Sequence, residues 1–249
     1  MTHLKYKRIV PEADTAVLFI HGIVGTPDHF RLLIPLEKLV PENWSVHNVL
    51  LPGHGGTADD FSASSRDAWK RHVWNAFHEL AKDHERIIIA AHSMGTLFAL
   101  RLAVEYPERI PFLFLLGVPL RPHLRIGMAV ASVRMVFGVL PGDHVLWKAG
   151  GVKLTRKIWK YLGWVPRFLD LFKEIYETEK ILDQLDVPCV AWQSKKDELV
   201  SNLTWKVLKK HNIIDLRSLP NSTHYCYDTS EMDEILADFS HRIKKISHG

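Results

Sequence analysis

The order of apolar and polar positions along the chain predicts a parallel α/β protein. Short, continuously apolar runs at 15–20, 86–91 and 111–117 are typical of strands that are buried on both faces. Between them lie stretches whose apolar residues recur every three or four positions, as in an amphipathic helix. The clearest such stretch is 65–85, and its apolar face consists of Trp69, Val73, Phe77 and Leu80. This alternation favours a mostly parallel central sheet with helices on each side.

The same patterns predict the remaining elements. Further strands are expected at 44–51, 187–193 and 213–219, and further helices at 29–40, 96–106, 202–210 and 230–246.

The alternation of predicted strands and helices ends after Gly117. From 120 to 183 no run resembles a buried strand, and helical patterns at 127–140, 155–164 and 167–185 take its place. We therefore expect an α/β core formed by 1–119 and 184–249, with a helical insertion at 120–183.

Composition narrows the class of protein. With 47% hydrophobic and 24% charged residues in 249, the chain has the chemistry of an ordinary globular protein and not of a disordered or collagen-like one. The two cysteines, Cys189 and Cys226, are too few for a disulfide framework and fit a reducing cytoplasm best. The first apolar run is too short for a signal peptide, and no apolar stretch is long enough to cross a bilayer. A cytoplasmic location is therefore expected.

Ser93 carries the strongest chemical signal. It lies in the segment Ala-His-Ser-Met-Gly (91–95), between a predicted strand and a predicted helix. A serine at such a turn is pushed above the edge of the sheet, and small neighbours at Ala91 and Gly95 relieve the crowding. This context favours a nucleophile over a packed surface serine.

A second turn follows the strand at 15–20. Its glycines, Gly22 and Gly25, permit tight backbone there. The N–H of Ile23, together with the N–H of Met94, would suit an oxygen that becomes negative when a carbonyl is attacked. His21 is interpreted as a structural residue of this turn.

A nucleophilic serine needs a base, and the base needs a group to orient it. Asp197 and His224 each follow a predicted strand, where an open α/β sheet places its site. Three rival acids are Glu198, Asp215 and Asp228. Asp197 has the better position in the chain, so it is the preferred partner of His224.

At this point the sequence resembles the α/β-hydrolase superfamily, and within it bacterial carboxylesterases and monoacylglycerol lipases. The segments that carry the resemblance are HGIVGT (21–26), LPGHGGT (51–57), AAHSMG (90–95), KKDELVS (195–201) and NSTH (221–224). The resemblance implies an α/β-hydrolase fold, with 120–183 as a helical cap or lid. It matches Ser93, Asp197 and His224 to a catalytic triad, and the backbone of Ile23 and Met94 to an oxyanion hole. Ala91 replaces the first glycine of the usual motif.

The implied activity is hydrolysis of small-molecule carboxylic esters through an acyl-enzyme, with no cofactor and no metal. The pairs His47/His54 and His241/His248 lack the spacing of a zinc site and are interpreted as surface residues. Two alternatives stay open: a thioesterase, peptidase or acyltransferase with the same triad, and a binding protein that keeps the fold without catalysis.

The charge of the cap differs from that of the rest of the chain. Between 120 and 167 it has nine Lys and Arg residues against one acid, Asp143, although the whole chain has a net charge of only +4. Trp147, Trp159 and Phe168 are its candidate substrate-binding residues. Such a segment suits an acyl-binding lid or a helix lying on an anionic membrane, and the lid is favoured. No nucleic-acid-binding motif accompanies the charge.

Overall fold

The computed structural model describes residues 6–247, and these residues form one sheet of seven strands. The strands are β1 (Tyr6–Arg8), β2 (Thr15–Ile20), β3 (Ser45–Asn48), β4 (Arg86–His92), β5 (Leu113–Leu116), β6 (Cys189–Ser194) and β7 (Ile214–Leu219). Their spatial order is β1-β3-β2-β4-β5-β6-β7, and every neighbouring pair is parallel except β1 and β3. The prediction of a mostly parallel sheet is confirmed.

Helices cover both faces of this sheet. They are α1 (Ala58–Ala63), α2 (Arg66–Ala81), α3 (Met94–Glu105), α4 (Ile126–Phe137), α5 (Leu146–Ala149), α6 (Val165–Glu179), α7 (Thr204–Leu208) and α8 (Thr229–Ser247). Across residues 6–247, none of these helices combines the length and the apolar character needed to span a bilayer.

The buried strands sit between two apolar cores because successive side chains point to opposite faces. In β2, Ala16, Leu18 and Ile20 belong to the core that α2 and α3 cover, whereas Val17 and Phe19 belong to the core that α8 covers. Every residue of β2 is buried. A strand of this kind reads as a continuous apolar run, which is why the sequence pattern found it.

The structure departs from the predicted elements near the N-terminus. The expected helix at 29–40 is wrong: a π-helical turn (His29–Leu33) and a 3₁₀ turn (Leu36–Leu39) replace it. Pro35 separates the two turns, since its ring and missing N–H break a continuous helix. The edge strand β1 and the short helix α1, which Thr57 caps, were not predicted.

The segment at 120–183 contains α4, α5, a 3₁₀ stretch (Ile158–Trp164) and α6, and no strand. Its last helix is anchored to the core. On α6, Leu171 and Ile175 are buried in the core of α2 and α3, and between them lies the buried Glu174. By contrast, α4 has no buried residue along its length.

Glu174 forms the electrostatic part of this anchor. Its carboxylate lies 3.5 Å from Nη1 of Arg66, on α2, and 3.3 Å from Nη1 of Arg101, on α3. Both arginines also pair with Glu177. Burial raises the pKa of Glu174, and the two arginines lower it only in part.

We predict that Glu174→Gln lowers the free energy of unfolding by about 2 kcal/mol, because it leaves two partly buried arginines with less negative charge. Urea denaturation at neutral pH measures this change. The matched control is Glu108→Gln, at an exposed position, which should change the free energy by less than about 0.5 kcal/mol. Equal stability of both variants would contradict the anchor.

Candidate active site

Ser93 occupies the sharp turn between β4 and α3. Its φ is 51°, in the left-handed region that residues other than glycine rarely adopt. Backbone of this kind costs about 1–3 kcal/mol and persists where its surroundings fix it. Here the Ser93 N–H donates to the carbonyl of Leu116 at 2.9 Å, and the Thr96 hydroxyl donates to the Ser93 carbonyl at 2.6 Å.

Two glycines allow this turn to lie against the loop that follows β2. A Cβ on Gly95 would lie 2.2 Å from the carbonyl oxygen of Ile20, and a Cβ on Gly22 would lie 2.8 Å from Cβ of Ser93. Any larger side chain would force the two backbones apart. The glycines therefore bring the loop after β2 and the turn after β4 into direct contact.

Asp197 and His224 meet at the neighbouring strand ends. Asp197 follows β6 and His224 follows β7, and Nδ1 of the imidazole donates to Oδ2 of the carboxylate at 2.8 Å. Oδ1 of Asp197 accepts the N–H groups of Leu199 and Val200. Burial raises the pKa of Asp197, but His224 and these N–H groups lower it more, so that it lies below its usual value. The carboxylate thus stays ionised and fixes the proton of His224 on Nδ1.

The rival acids have other partners. Oε2 of Glu198 accepts the backbone N–H of His224 at 3.0 Å and so supports the loop, but not the ring. Asp215 pairs with two arginines, and Asp228 accepts hydrogen bonds from the start of α8. Of the four carboxylates considered, Asp197 is the one that contacts the imidazole.

The side chains of Ser93 and His224 are not hydrogen-bonded to each other in this structure. Within residues 6–247, Nε2 of His224 is buried and has no hydrogen-bond partner. The Ser93 side chain borders a cavity. Catalytic hydrogen bonds are often long before a substrate binds and tighten afterwards. The free Nε2 is the acceptor that a serine hydroxyl would need.

The backbone N–H groups of Ile23 and Met94 have no acceptor within the described part of the chain. Met94 is the first residue of α3, where the N–H groups of a helix are unpaired and the helix dipole is positive. Ile23 lines the same cavity as Ser93. Both donors are therefore available to an anionic oxygen.

The loop that carries His224 is held by residues that sequence reasoning missed. Nε2 of His92 donates to the His224 carbonyl at 3.2 Å, and His92 stacks on His29 with 3.7 Å between ring centroids. His29 in turn contacts the hydroxyl of Tyr227 at 3.2 Å. The buried carboxylate of Glu231 accepts two backbone N–H groups just before His224. No spacing in the sequence marks these contacts, because they join segments far apart in the chain.

His21 is buried and bonded to backbone at both nitrogens. Nδ1 donates to the carbonyl of Gly22 at 2.8 Å, and Nε2 accepts the N–H of Leu51 at 3.1 Å. These contacts fit the structural role expected of it.

The expectation that His47 and His54 lie on the surface is wrong, since both are buried. The ring of His54 is enclosed by aromatic side chains and contacts backbone groups instead of solvent. His241 is exposed, and His248 lies outside the described residues. No three His, Cys, Asp or Glu side chains within 6–247 are grouped as metal ligands.

A cavity of about 660 Å³ lies above Ser93, between the strand ends and the helices α4 and α6. Its walls are mainly apolar, and Phe168 is one of the residues that line it. Trp147 and Trp159, the other two candidate substrate-binding residues, do not line this cavity. Trp147 donates through Nε1 to the carbonyl of Pro141, and Trp159 is 62% exposed.

Comparisons with known proteins agree with this fold. A family model for the alpha/beta hydrolase family matches residues 17–245. A structure from the LipS and LipT pair of metagenome-derived lipolytic enzymes has a TM-score of 0.72 at 18% identity, covering 96% of this chain and 98% of that chain. The monoacylglycerol lipase of Paleococcus ferrophilus has a TM-score of 0.67 at 15% identity, covering 99% of each chain. A carboxylesterase of Nitrososphaera gargenis has a TM-score of 0.66 at 14% identity, covering 97% and 95%. At these identities the likeness shows the fold.

We predict that stability falls as the pH drops below about 6.5, because four buried histidines resist protonation in the folded state. They are His21, His29, His54 and His92, and burial is the main cause of the lowered pKa in each, to about 3 for His29 and about 4 for His54. The unfolded chain binds these protons first, so stability is complete above the unfolded pKa and decreases toward the folded one. Each histidine should contribute a slope of about 1.4 kcal/mol per pH unit.

Urea denaturation at a series of pH values between neutrality and about pH 5 measures this slope. His29→Gln should reduce the slope, whereas replacement of the exposed His241 should leave it unchanged. A flat profile in this range would contradict the prediction, because it would mean that these histidines take up protons equally in the folded and the unfolded protein.

Proposed function

Since the chain belongs to the alpha/beta hydrolase family, we propose that it is a serine hydrolase that cleaves carboxylic esters. The observation that carries the proposal is the hydrogen bond between Asp197 and His224 at the same edge of the sheet as Ser93, whose side chain lines an apolar cavity. An imidazole that is oriented by a carboxylate and has a free Nε2, at the same edge of the sheet as a serine held in a strained turn, supplies the parts of nucleophilic catalysis.

In the proposed mechanism, Oγ of Ser93 attacks the ester carbonyl while Nε2 of His224 takes the hydroxyl proton. Asp197 stabilises the imidazolium that forms. As the bond to the alcohol breaks, His224 returns the proton to the leaving oxygen, and the acyl group stays on Ser93. Water, deprotonated by the same imidazole, then attacks the acyl-enzyme and releases the acid and the free serine.

The negative oxygen of each tetrahedral intermediate would be bound by the N–H groups of Ile23 and Met94. Such donors act best when they are fixed before the reaction, because no reorganisation is then needed. Met94 is fixed by the start of α3. Ile23 lies in a loop, so its position depends on what holds that loop.

Two contacts hold the loop of Ile23. The next residue, Val24, has a φ of 55°, a strained value for a branched side chain. Its N–H donates to Nε2 of His54 at 3.0 Å, and its carbonyl accepts the N–H of Gly151 at 2.7 Å. Gly151 belongs to the cap segment, and its own carbonyl accepts the N–H of Gly55. The cap thus forms part of the support of the proposed oxyanion hole.

The cavity supports an ester with a substantial apolar acyl group as substrate. Its volume lies in the range of small-ligand sites, and its apolar walls would exclude water from a hydrocarbon chain. Two of the similar structures are those of a lipolytic enzyme and a monoacylglycerol lipase. A peptide would leave most of its polar backbone groups unpaired against such walls, which disfavours a peptidase.

We predict that the protein hydrolyses p-nitrophenyl esters, with higher kcat/KM for acyl chains of roughly eight carbons or more than for acetate, because longer chains bury more apolar surface in the cavity. Ser93→Ala should lower kcat by at least about 10⁴-fold without loss of folding. The matched control is Ser240→Ala, on α8 and away from the cavity, which should keep full activity.

An ester series from acetate to palmitate, with monoacylglycerols alongside, measures both effects. A folded protein that shows no serine-dependent turnover, and whose Ser93 does not react with a fluorophosphonate, would favour the binding-protein alternative. Turnover of acyl thioesters in preference to oxygen esters would favour the thioesterase alternative.

We predict that Gly151→Ala lowers kcat by about 100-fold while KM changes little, because the loss of one oxyanion donor costs about this much. A Cβ at this position would lie 1.8 Å from the carbonyl oxygen of Gly25, so the loop of Ile23 must move. Gly142→Ala is the control, since a Cβ there meets no atom within 4 Å. Circular dichroism confirms that both variants fold. Equal kcat for the two variants would contradict the support that we assign to Gly151.

A further inference from the structure

The cap exposes rows of apolar side chains on two of its helices. On α4, four apolar residues recur at intervals of four, three and four, which places them along one side of the helix. They are Ile126, Val130, Val133 and Phe137, and all four are exposed, Ile126 to 82%. The opposite side of α4, with Met128, Ser132 and Met135, faces the cavity.

The helix α6 repeats this arrangement. Four of its exposed apolar residues have the same spacing, and they are Val165, Leu169, Phe172 and Tyr176. The opposite side of α6 carries the residues that anchor the helix to the core. We call the outward sides of α4 and α6, defined by these two sets of four residues, the cap surface.

The cap surface is continuous with the cavity. Val133, from α4, and Phe172, from α6, are exposed and also line the cavity. Leu124 and Phe168 do the same next to them. The mouth of the cavity is therefore bordered by apolar side chains that face outward.

Unpaired positive charges surround this surface. Arg125 precedes α4, Arg134 lies on α4, and Lys173 lies on α6. Each of these side chains is exposed, and none forms an ion pair within residues 6–247. Arg156 donates to the carbonyl of Phe137 at the end of α4 and also lacks a carboxylate partner in the described chain. By contrast, Lys160 and Arg167 are paired with Asp59 and Asp170, respectively.

We infer that the cap surface docks on an anionic phospholipid bilayer. Apolar stripes flanked by Lys and Arg are the features of helices that lie in a membrane interface. Their apolar side chains enter the acyl region, while the cations meet lipid phosphates. A second copy of the chain fits less well, because a twofold contact through this surface would set the same unpaired cations against each other.

This docking would place the mouth of the cavity against the bilayer. The entry of a lipid ester into the cavity from that side rests on the proposed function, since it needs the cavity to be the acyl site. Docking itself does not, because most of the cap-surface residues that it uses lie outside the cavity. The two can therefore be tested separately.

The experiment is cosedimentation with large unilamellar vesicles, performed in the Ser93→Ala background so that the proposed chemistry plays no part. Vesicles of phosphatidylcholine mixed with phosphatidylglycerol are compared with vesicles of phosphatidylcholine alone. We expect binding to the anionic vesicles to be at least about tenfold tighter, and to weaken with added salt.

Two double variants test the two parts of the surface. Ile126→Ser with Leu169→Ser removes exposed apolar groups that do not line the cavity, and Arg134→Gln with Lys173→Gln removes charge. Each should weaken vesicle binding by about tenfold or more.

Matched controls lie outside the cap. Two double variants change exposed apolar or basic residues there: Leu32→Ser with Leu203→Ser, and Lys82→Gln with Lys209→Gln. Both should bind vesicles as tightly as the parent protein does.

Three results would overturn the inference. The first is a parent protein that sediments no better with anionic vesicles than without them, and the second is a pair of cap variants that bind vesicles as tightly as their controls. The third is a concentration-dependent dimer in analytical ultracentrifugation that Ile126→Ser with Leu169→Ser converts to a monomer, which would identify a second copy as the occupant.

Discussion

The candidate site depends on the close approach of two backbone segments, the loop after β2 and the turn after β4. Hydrogen bonding of the parallel strands brings Ile20 beside Ala91, so the two segments leave the sheet side by side. Only glycine at Gly95 lets the turn pass the Ile20 carbonyl, and only glycine at Gly22 clears the Ser93 side chain. This contact sets Ser93, with its positive φ, beside the free N–H of Ile23. A methyl group at either glycine would separate the nucleophile from one of its proposed oxyanion donors.

The other parts of the candidate site surround that contact. Asp197 orients His224 from the next strand ends, and the backbone around them is fixed by buried acceptors such as Glu231. The cap contributes in two ways: through Gly151 it touches the loop of Ile23, and through α4 and α6 it encloses the cavity. Since α6 is anchored by buried residues and α4 is not, the two sides of the cavity mouth differ in how firmly they are held. The same two helices present the cap surface to the outside.

The sequence predicts the strands and site residues that depend on local patterns of apolar and polar positions. The buried strands read as apolar runs, and the order Ser93, Asp197, His224 at strand ends identified side chains of which two are in direct contact. It failed where the outcome depends on distant segments. The helix expected at 29–40 has the right periodicity, but Pro35 interrupts it. His54 is buried because aromatic side chains from α1 and α2 close over it. Aromatic composition alone did not show that Trp159 is exposed and does not line the cavity, since composition does not say which side chains of a segment face a site.

The central claim is that Ser93, the two backbone donors and the apolar cavity act on one substrate. A crystal structure of the protein after reaction with a long-chain alkyl fluorophosphonate tests this most directly. The account predicts a covalent bond from Oγ of Ser93 to phosphorus, a phosphonyl oxygen at about 3 Å from the N–H groups of Ile23 and Met94, and the alkyl chain inside the cavity. An adduct on another residue, or a phosphonyl oxygen that points away from both N–H groups, would contradict it.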